Sequence, residues 1–157
     1  MKAVFFYQTD IGKIGIVDNG DTITHLFFPG EEPPLDAVVR ETGLLKEAGR
    51  QLQNYLVGRQ KTFTLPLAPA GTEFMHRVFY QLRAIPYGET RTYREIAESA
   101  GNSKASRAVG RACHTNPIPI FIPCHRVIGS DGALTGFRAG LPTKALLLER
   151  EKQHGHL

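Results

Sequence analysis

The chain has 157 residues, 41% of them hydrophobic and 22% charged, a composition that excludes a disordered protein and suits one ordinary domain or two small ones. No apolar run reaches the ~20 residues a membrane helix needs, and Met1–Tyr7 lacks the longer apolar region and cleavage site of a signal peptide, so a cytoplasmic protein with no membrane partner is expected. The net charge of +4 resides in the second half: residues 1–85 hold nine Lys/Arg and nine Asp/Glu, whereas residues 86–157 hold ten and six, an excess that points to an anionic partner such as nucleic acid.

The first part reads as a β-meander. Ala3–Tyr7 and Ile14–Val17 are apolar and β-prone, Asp18–Asp21 is a turn signal, and Thr22–Phe28 follows as a third strand. After Pro29-Gly30 and Pro33-Pro34 the period turns helical from about Leu35, and Leu45, Ala48, Leu52, Tyr55 and Leu56 share one face of a helix over Gly43–Val57. Thr62–Leu65 is expected as a further short strand, and Pro66–Gly71 as a linker. The boundary falls there, giving an α/β domain over 1–68 and a mainly helical domain over 69–157.

In the second part, Phe74, Val78, Phe79 and Leu82 predict a helix over Thr72–Ala84, stopped by Pro86 and Gly88. Thr92 and Glu95 have capping-box spacing and start a short helix to about Ala100. A tight turn at Gly101-Asn102 and a cap at Ser103 then predict a second helix to His114, a helix-turn-helix pattern. Lys104, Arg107 and Arg111 recur at i, i+3 and i+7 and form a basic stripe, Ala108 permits close approach to a surface, and Ala105, Val109 and Ala112 form the packing face. A solvated surface helix is the competing reading of that stripe.

Pro117, Pro119 and Pro123 forbid a helix over Asn116–Pro123, and the apolar residues between them predict a stiff, buried strap that delivers Cys124 to a fixed place. A glycine-rich loop, Thr135–Gly140, leads to a last helix from about Pro142 to Glu151 that carries Ala145, Leu146 and Leu148. Of the two cysteines, Cys113 fits a buried structural residue, while Cys124, followed by His125 and Arg126, fits a nucleophile whose proton a neighbouring base removes. Glu149 or Glu151 could orient the imidazole. A zinc site built on Cys113-His114 and Cys124-His125 is disfavoured, because adjacent ligands strain tetrahedral geometry; no metal is expected. A Cys-His thiol hydrolase is a further alternative, but it leaves the basic helix unexplained.

The run Ile122-Pro123-Cys124-His125-Arg126-Val127-Ile128 resembles the signature of the O6-alkylguanine-DNA alkyltransferases, and the resemblance extends from Gly88–Tyr93 through Ser106–Gly110 and Asn116–Pro119 to Gly132–Leu134, Gly140-Leu141 and Lys144. It implies a ribonuclease H-like N-terminal domain, a small antiparallel sheet plus helix, and a winged-helix-like C-terminal domain. It also implies a single-use reaction on double-stranded DNA containing O6-alkylguanine, with O4-alkylthymine a further candidate, by a monomer without cofactor. The base is rotated into a pocket and its alkyl group passes to Cys124. In this reading His125 takes the thiol proton through a water and Glu151 orients it. Tyr93 contacts the flipped base and donates a proton to its ring, and Asn116 ties the recognition helix to the Cys124 loop. Arg107 fills the gap in the stack; Thr92, Lys104, Ala108, Arg111 and Arg126 accompany it on DNA. The carbonyls of Cys124 and Val127 face the exocyclic amine, and Phe137 and Arg138 line the pocket. Phe137 stands where many relatives have Tyr, and Arg138 narrows the pocket or adds a phosphate contact. A non-catalytic lesion sensor of the same fold is the alternative, opposed by the presence of Cys124.

Overall fold

The computed structural model describes residues 1–155, which divide into two compact units, residues 1–70 and residues 71 onward. In the first unit β1 (Ala3–Thr9), β2 (Gly12–Asp18) and β3 (Ile23–Phe27) form the expected meander. A two-residue strand not anticipated from the sequence, β4 (Val38–Val39), joins it in parallel with β1, so the sheet runs β3-β2-β1-β4. The segment after Leu35 is therefore not yet helical. Helix α1 (Gly43–Leu56) begins where Thr42 accepts a hydrogen bond from the Leu45 amide, and the Thr42 hydroxyl donates to Asp18 at the end of β2 at 2.5 Å. The fully buried Ile14, Ile16, Leu26, Leu45 and Leu52 form the core between helix and sheet.

The strand expected over Thr62–Leu65 does not form. The Gln51 amide takes Thr64 instead, accepting from its backbone N–H and donating to its hydroxyl, both at 3.0 Å. Pairing starts three residues later, where Ile23 donates to Pro66 and accepts from Ala68, so part of the expected linker lies against β3.

In the second unit α2 (Glu73–Arg83) is capped by Thr72, and β5 (Arg91–Thr92) runs directly into α3 (Tyr93–Ser99), whose capping box between Thr92 and Glu95 is fully made. The next helix, α4 (Ser106–His114), starts later than expected and Ser103 does not cap it. Asn102 shapes the preceding turn: its side chain accepts from the Lys104 amide at 3.0 Å and its carbonyl accepts from Ala105. A single 3₁₀ turn (Cys124–Arg126) leads into β6 (Val127–Ile128), which pairs in parallel with β5, and α5 (Leu141–His154) closes the described chain. The buried face of α5 is Lys144, Leu147 and Glu151 rather than Ala145, Leu146 and Leu148.

Candidate active site and DNA-binding surface

The strap from Asn116 to Pro123 is buried, as expected, but it is not simply extended. It reverses at Ile120, a fully buried β-branched residue at φ 72°, and Ile122 donates to the Ile118 carbonyl. Such a backbone costs roughly 1–3 kcal/mol and persists only where the surroundings fix it. Asn116 supplies part of that fixation. Its side chain donates to the Ile122 carbonyl at 2.9 Å and accepts from the Ile118 amide at 3.0 Å, closing the loop between α4 and the turn that carries Cys124.

Cys124 opens the 3₁₀ turn and is 4% exposed. Burial pushes its thiol pKa up, opposed by a hydrogen bond from Asn116 and by the positive charges of Arg138 and Lys144. The thiol is therefore neutral at rest and reacts only if its proton is removed.

His125 is fully buried, and its Nε2 donates to Glu151 Oε2 at 2.7 Å. Burial holds this imidazole below its ordinary pKa despite the carboxylate beside it, so the ring rests neutral. With the proton on Nε2, the lone pair lies on the buried Nδ1. Glu151 is itself 1% exposed, and burial opposes its charge, but His125 and Arg126 outweigh that and hold its pKa at about 2. It also accepts from the Gly88 amide at 3.1 Å.

Arg126 is not on the DNA-facing surface. Its guanidinium is buried and grips Glu151 through Nε at 2.8 Å and Nη2 at 3.0 Å, while Nη1 donates to the Ile85 carbonyl at 2.9 Å. A buried cation requires such an anion, which the last helix provides. Held there, the guanidinium is not presented to DNA, contrary to expectation.

Arg107 and Arg111 project from the exposed face of α4, with Ala108 half-buried beside them. Lys104 is exposed but lies in the preceding turn, so the expected three-residue helical stripe reduces to Arg107 and Arg111. Thr92 is half-buried, and its side-chain oxygen caps α3 by accepting from the Glu95 amide at 3.1 Å. A cleft of about 410 Å³ opens between α4, the start of α3 and the glycine-rich loop, lined by Tyr93, Arg107, Gly110, His114 and Thr135 among others. Val127, Phe137 and Arg138 do not line it. The Val127 carbonyl already accepts from Lys144 Nζ at 2.6 Å, and the Arg138 guanidinium turns inward to the Asn116 carbonyl, away from a phosphate.

Two site residues were missed by reading the sequence. Lys144, 1% exposed, donates to Val127 and to the Thr135 carbonyl, and Thr135 bonds the Tyr93 hydroxyl at 2.5 Å. Lys144 had one available signal, its i, i+3, i+7 spacing with Leu147 and Glu151; Thr135 had none. Cys113 is half-buried, and burial raises its thiol pKa well above the ordinary value. Among the described residues no three His, Cys, Asp or Glu side chains gather as a metal site, and no helix is long and apolar enough to cross a membrane.

Residues 73–153 match the DNA binding domain of the 6-O-methylguanine DNA methyltransferases, and residues 4–69 match the ribonuclease-like domain of the same family. The chain belongs to this methyltransferase family. The methylated-DNA–protein-cysteine methyltransferase of Methanosarcina acetivorans is 47% identical over 149 residues, covering 92% of this chain and 95% of the relative. The constitutive methylated-DNA–protein-cysteine methyltransferase of Bacillus subtilis is 46% identical over 153 residues, covering 92% of both. In structure, the Mycobacterium tuberculosis methyltransferase OGT, solved in complex with DNA, superposes with a TM-score of 0.92 at 39% identity, covering 97% of this chain and 94% of that one. In this methyltransferase chain the ribonuclease-like match spans the sheet and α1, and the DNA-binding match spans α2 to α5.

Proposed function

We propose that this protein repairs DNA by taking the alkyl group of O6-alkylguanine onto Cys124, once per molecule. The observation that carries the reading is the buried Cys124 beside a neutral His125 whose Nε2 is held by an ionised Glu151. His125 Nδ1 takes the thiol proton through a water, and Glu151 stabilises the imidazolium that results. The thiolate attacks the alkyl carbon, the carbon–O6 bond breaks, and its electron pair stays with guanine, which leaves after protonation of the ring. A thioether is a poor leaving group, so Cys124 is not regenerated.

The substrate is duplex DNA with its damaged base rotated into the cleft beside Tyr93. Arg107 fills the vacated place in the stack, and Lys104, Arg111 and Thr92 meet phosphates. The acceptor, its relay and the basic helix all come from one chain, which supports a monomer. The chemistry calls on no metal or cofactor. Action on genomic DNA requires residence with it, which in bacteria and archaea is the cytoplasm.

The test is an oligonucleotide carrying O6-methylguanine labelled on the methyl group. Transfer should stop at about one label per protein, in keeping with a thiol consumed by the reaction, and should vanish in Cys124→Ser. Repeated turnover, or transfer by the serine variant, would overturn the proposal. Binding without transfer by the unaltered protein would favour a lesion sensor.

A further inference from the structure

The glycine-rich loop places a hydroxyl against Tyr93 that the repair chemistry described above does not use. Thr135 Oγ1 lies 2.5 Å from the Tyr93 phenol oxygen, and both residues line the same cleft. Two separate tethers fix the ends of this bond. On one side, β5 pairs with β6, matching Arg91 to Val127 and Thr92 to Ile128, and Tyr93 follows directly as the first residue of α3. On the other, the buried Lys144 ammonium donates to both the Val127 and the Thr135 carbonyls, at 2.6 and 3.0 Å. Tyr93 and Thr135 are thus both referred to the strand that leaves the acceptor turn. A threonine in a half-exposed loop gains a defined position from a buried cation.

We propose that Thr135 is a positioning residue for Tyr93, its hydroxyl donating to the phenol oxygen so that the phenol proton is aimed at the ring of the flipped base. This rests on the repair reading above. Two hydroxyls can share a hydrogen bond either way round, but a ring nitrogen with a lone pair needs a donor. When the base occupies the cleft, the phenol donates to the base and Thr135 donates to the phenol.

The step balances. Cys124 thiolate forms the sulfur–carbon bond, the carbon–O6 bond breaks towards guanine, and the Tyr93 proton passes to the ring to give neutral guanine. The phenolate left behind recovers a proton from the imidazolium of His125 by way of solvent. During that interval the Thr135 hydroxyl supports the negative phenolate oxygen, a charge-assisted bond stronger than the one it makes to the resting phenol. Burial raises the Tyr93 phenol above its ordinary pKa, and the Thr135 bond pulls it back towards a useful acid.

Single-turnover transfer from an O6-methylguanine duplex tests this with Thr135→Val, Thr135→Ala and Thr135→Ser, each made in the wild-type and in the Tyr93→Phe background, with the affinity for the same duplex measured alongside. Thr135→Val and Thr135→Ala should slow transfer about tenfold, the scale of one hydrogen bond lost in the transition state, with unchanged DNA affinity. Thr135→Ser should stay within about twofold of wild type, and in Tyr93→Phe removal of the hydroxyl should cost less than about twofold more, because the shared interaction is already gone. A wild-type rate in Thr135→Val and Thr135→Ala, or an equal slowing in both backgrounds, would overturn the assignment. Failure of both variants to fold would overturn it too, by making Thr135 a structural residue. Absence of transfer by the unaltered protein would instead sink the repair reading itself.

Discussion

His125 and Glu151 meet at 2.7 Å in the buried interior of the second unit, although 26 residues separate them in the chain. The contact joins the 3₁₀ turn that carries Cys124 to the last helix, and Arg126 completes it from the same turn as His125. Fold stability and the proposed activation of the Cys124 thiol therefore draw on the same carboxylate.

Replacing that carboxylate separates the two contributions. Glu151→Gln leaves the Arg126 guanidinium buried without an anion, which costs roughly 3–5 kcal/mol when a buried pair is broken from one side. Urea unfolding should show that loss, and single-turnover transfer should slow because the imidazolium of His125 is no longer stabilised. Wild-type stability in this variant would refute the network as drawn.

Stability should fall on acidification in two stages. Both groups have folded pKa values below their unfolded ones: Glu151 drops from an ordinary 4.5 to about 2, and burial lowers His125 from an ordinary 6.5. The unfolded chain therefore binds these protons first, and the stabilisation is fully present above the unfolded values. The histidine part begins to be lost as the pH falls below about 6.5, and the glutamate part, about 3 kcal/mol, between about pH 5 and 2. Chemical denaturation across this range measures both, and Glu151→Gln should abolish the lower stage.

Arg126 and Arg107 should respond oppositely to removal. Arg126→Met strips Glu151 of its cation and should lower stability by several kcal/mol, with the salt dependence of DNA binding unchanged in the folded fraction. Arg107→Ala should leave stability within about 0.5 kcal/mol, weaken binding to a lesion duplex about tenfold, and leave Cys124 open to a small alkylating reagent. Titrations at several salt concentrations distinguish them; an Arg126 effect on the salt slope would return that residue to the DNA surface.

Asn116→Ala orphans the Ile122 carbonyl and the Ile118 amide, both in buried backbone, at a cost of about 1–3 kcal/mol. It also removes the hydrogen bond that counters burial at Cys124, so the thiol should need a more alkaline solution to react. The pH profile of Cys124 alkylation reads this directly, and an unshifted profile would confine Asn116 to a packing role.

Gly88→Ala tests a close approach. Gly88 has φ +83°, its amide donates to Glu151, and an added Cβ would stand 3.4 Å from the Glu151 carbonyl oxygen. The change should cost about 1 kcal/mol or more through backbone strain alone, and thermal melting checks it.

Local signals were the legible ones. The capping box at Thr92 and Glu95, the three prolines of the strap and the period of α1 act within a few residues, so short stretches of sequence report them. The run around Cys124 likewise marked the family. The start of α4 was misplaced because the Asn102 side chain competes locally for the backbone, moving Lys104 off the helix. β4 went unseen because two residues carry no period.

By itself the sequence determined two domains, a basic helix and the family, and it singled out Cys124 as the candidate nucleophile, all from composition, periodicity and contiguous residues. Only the tertiary structure decided what the charged residues do. Arg126 and Arg107 look alike in sequence, yet one is buried on Glu151 and the other faces solvent. Lys144, which the sequence marks only as part of the family resemblance, proves to be a buried tether between Val127 and Thr135. The reason is physical: a charge enters the interior only where an opposite charge or several acceptors converge from distant parts of the chain, and that convergence is a property of the fold.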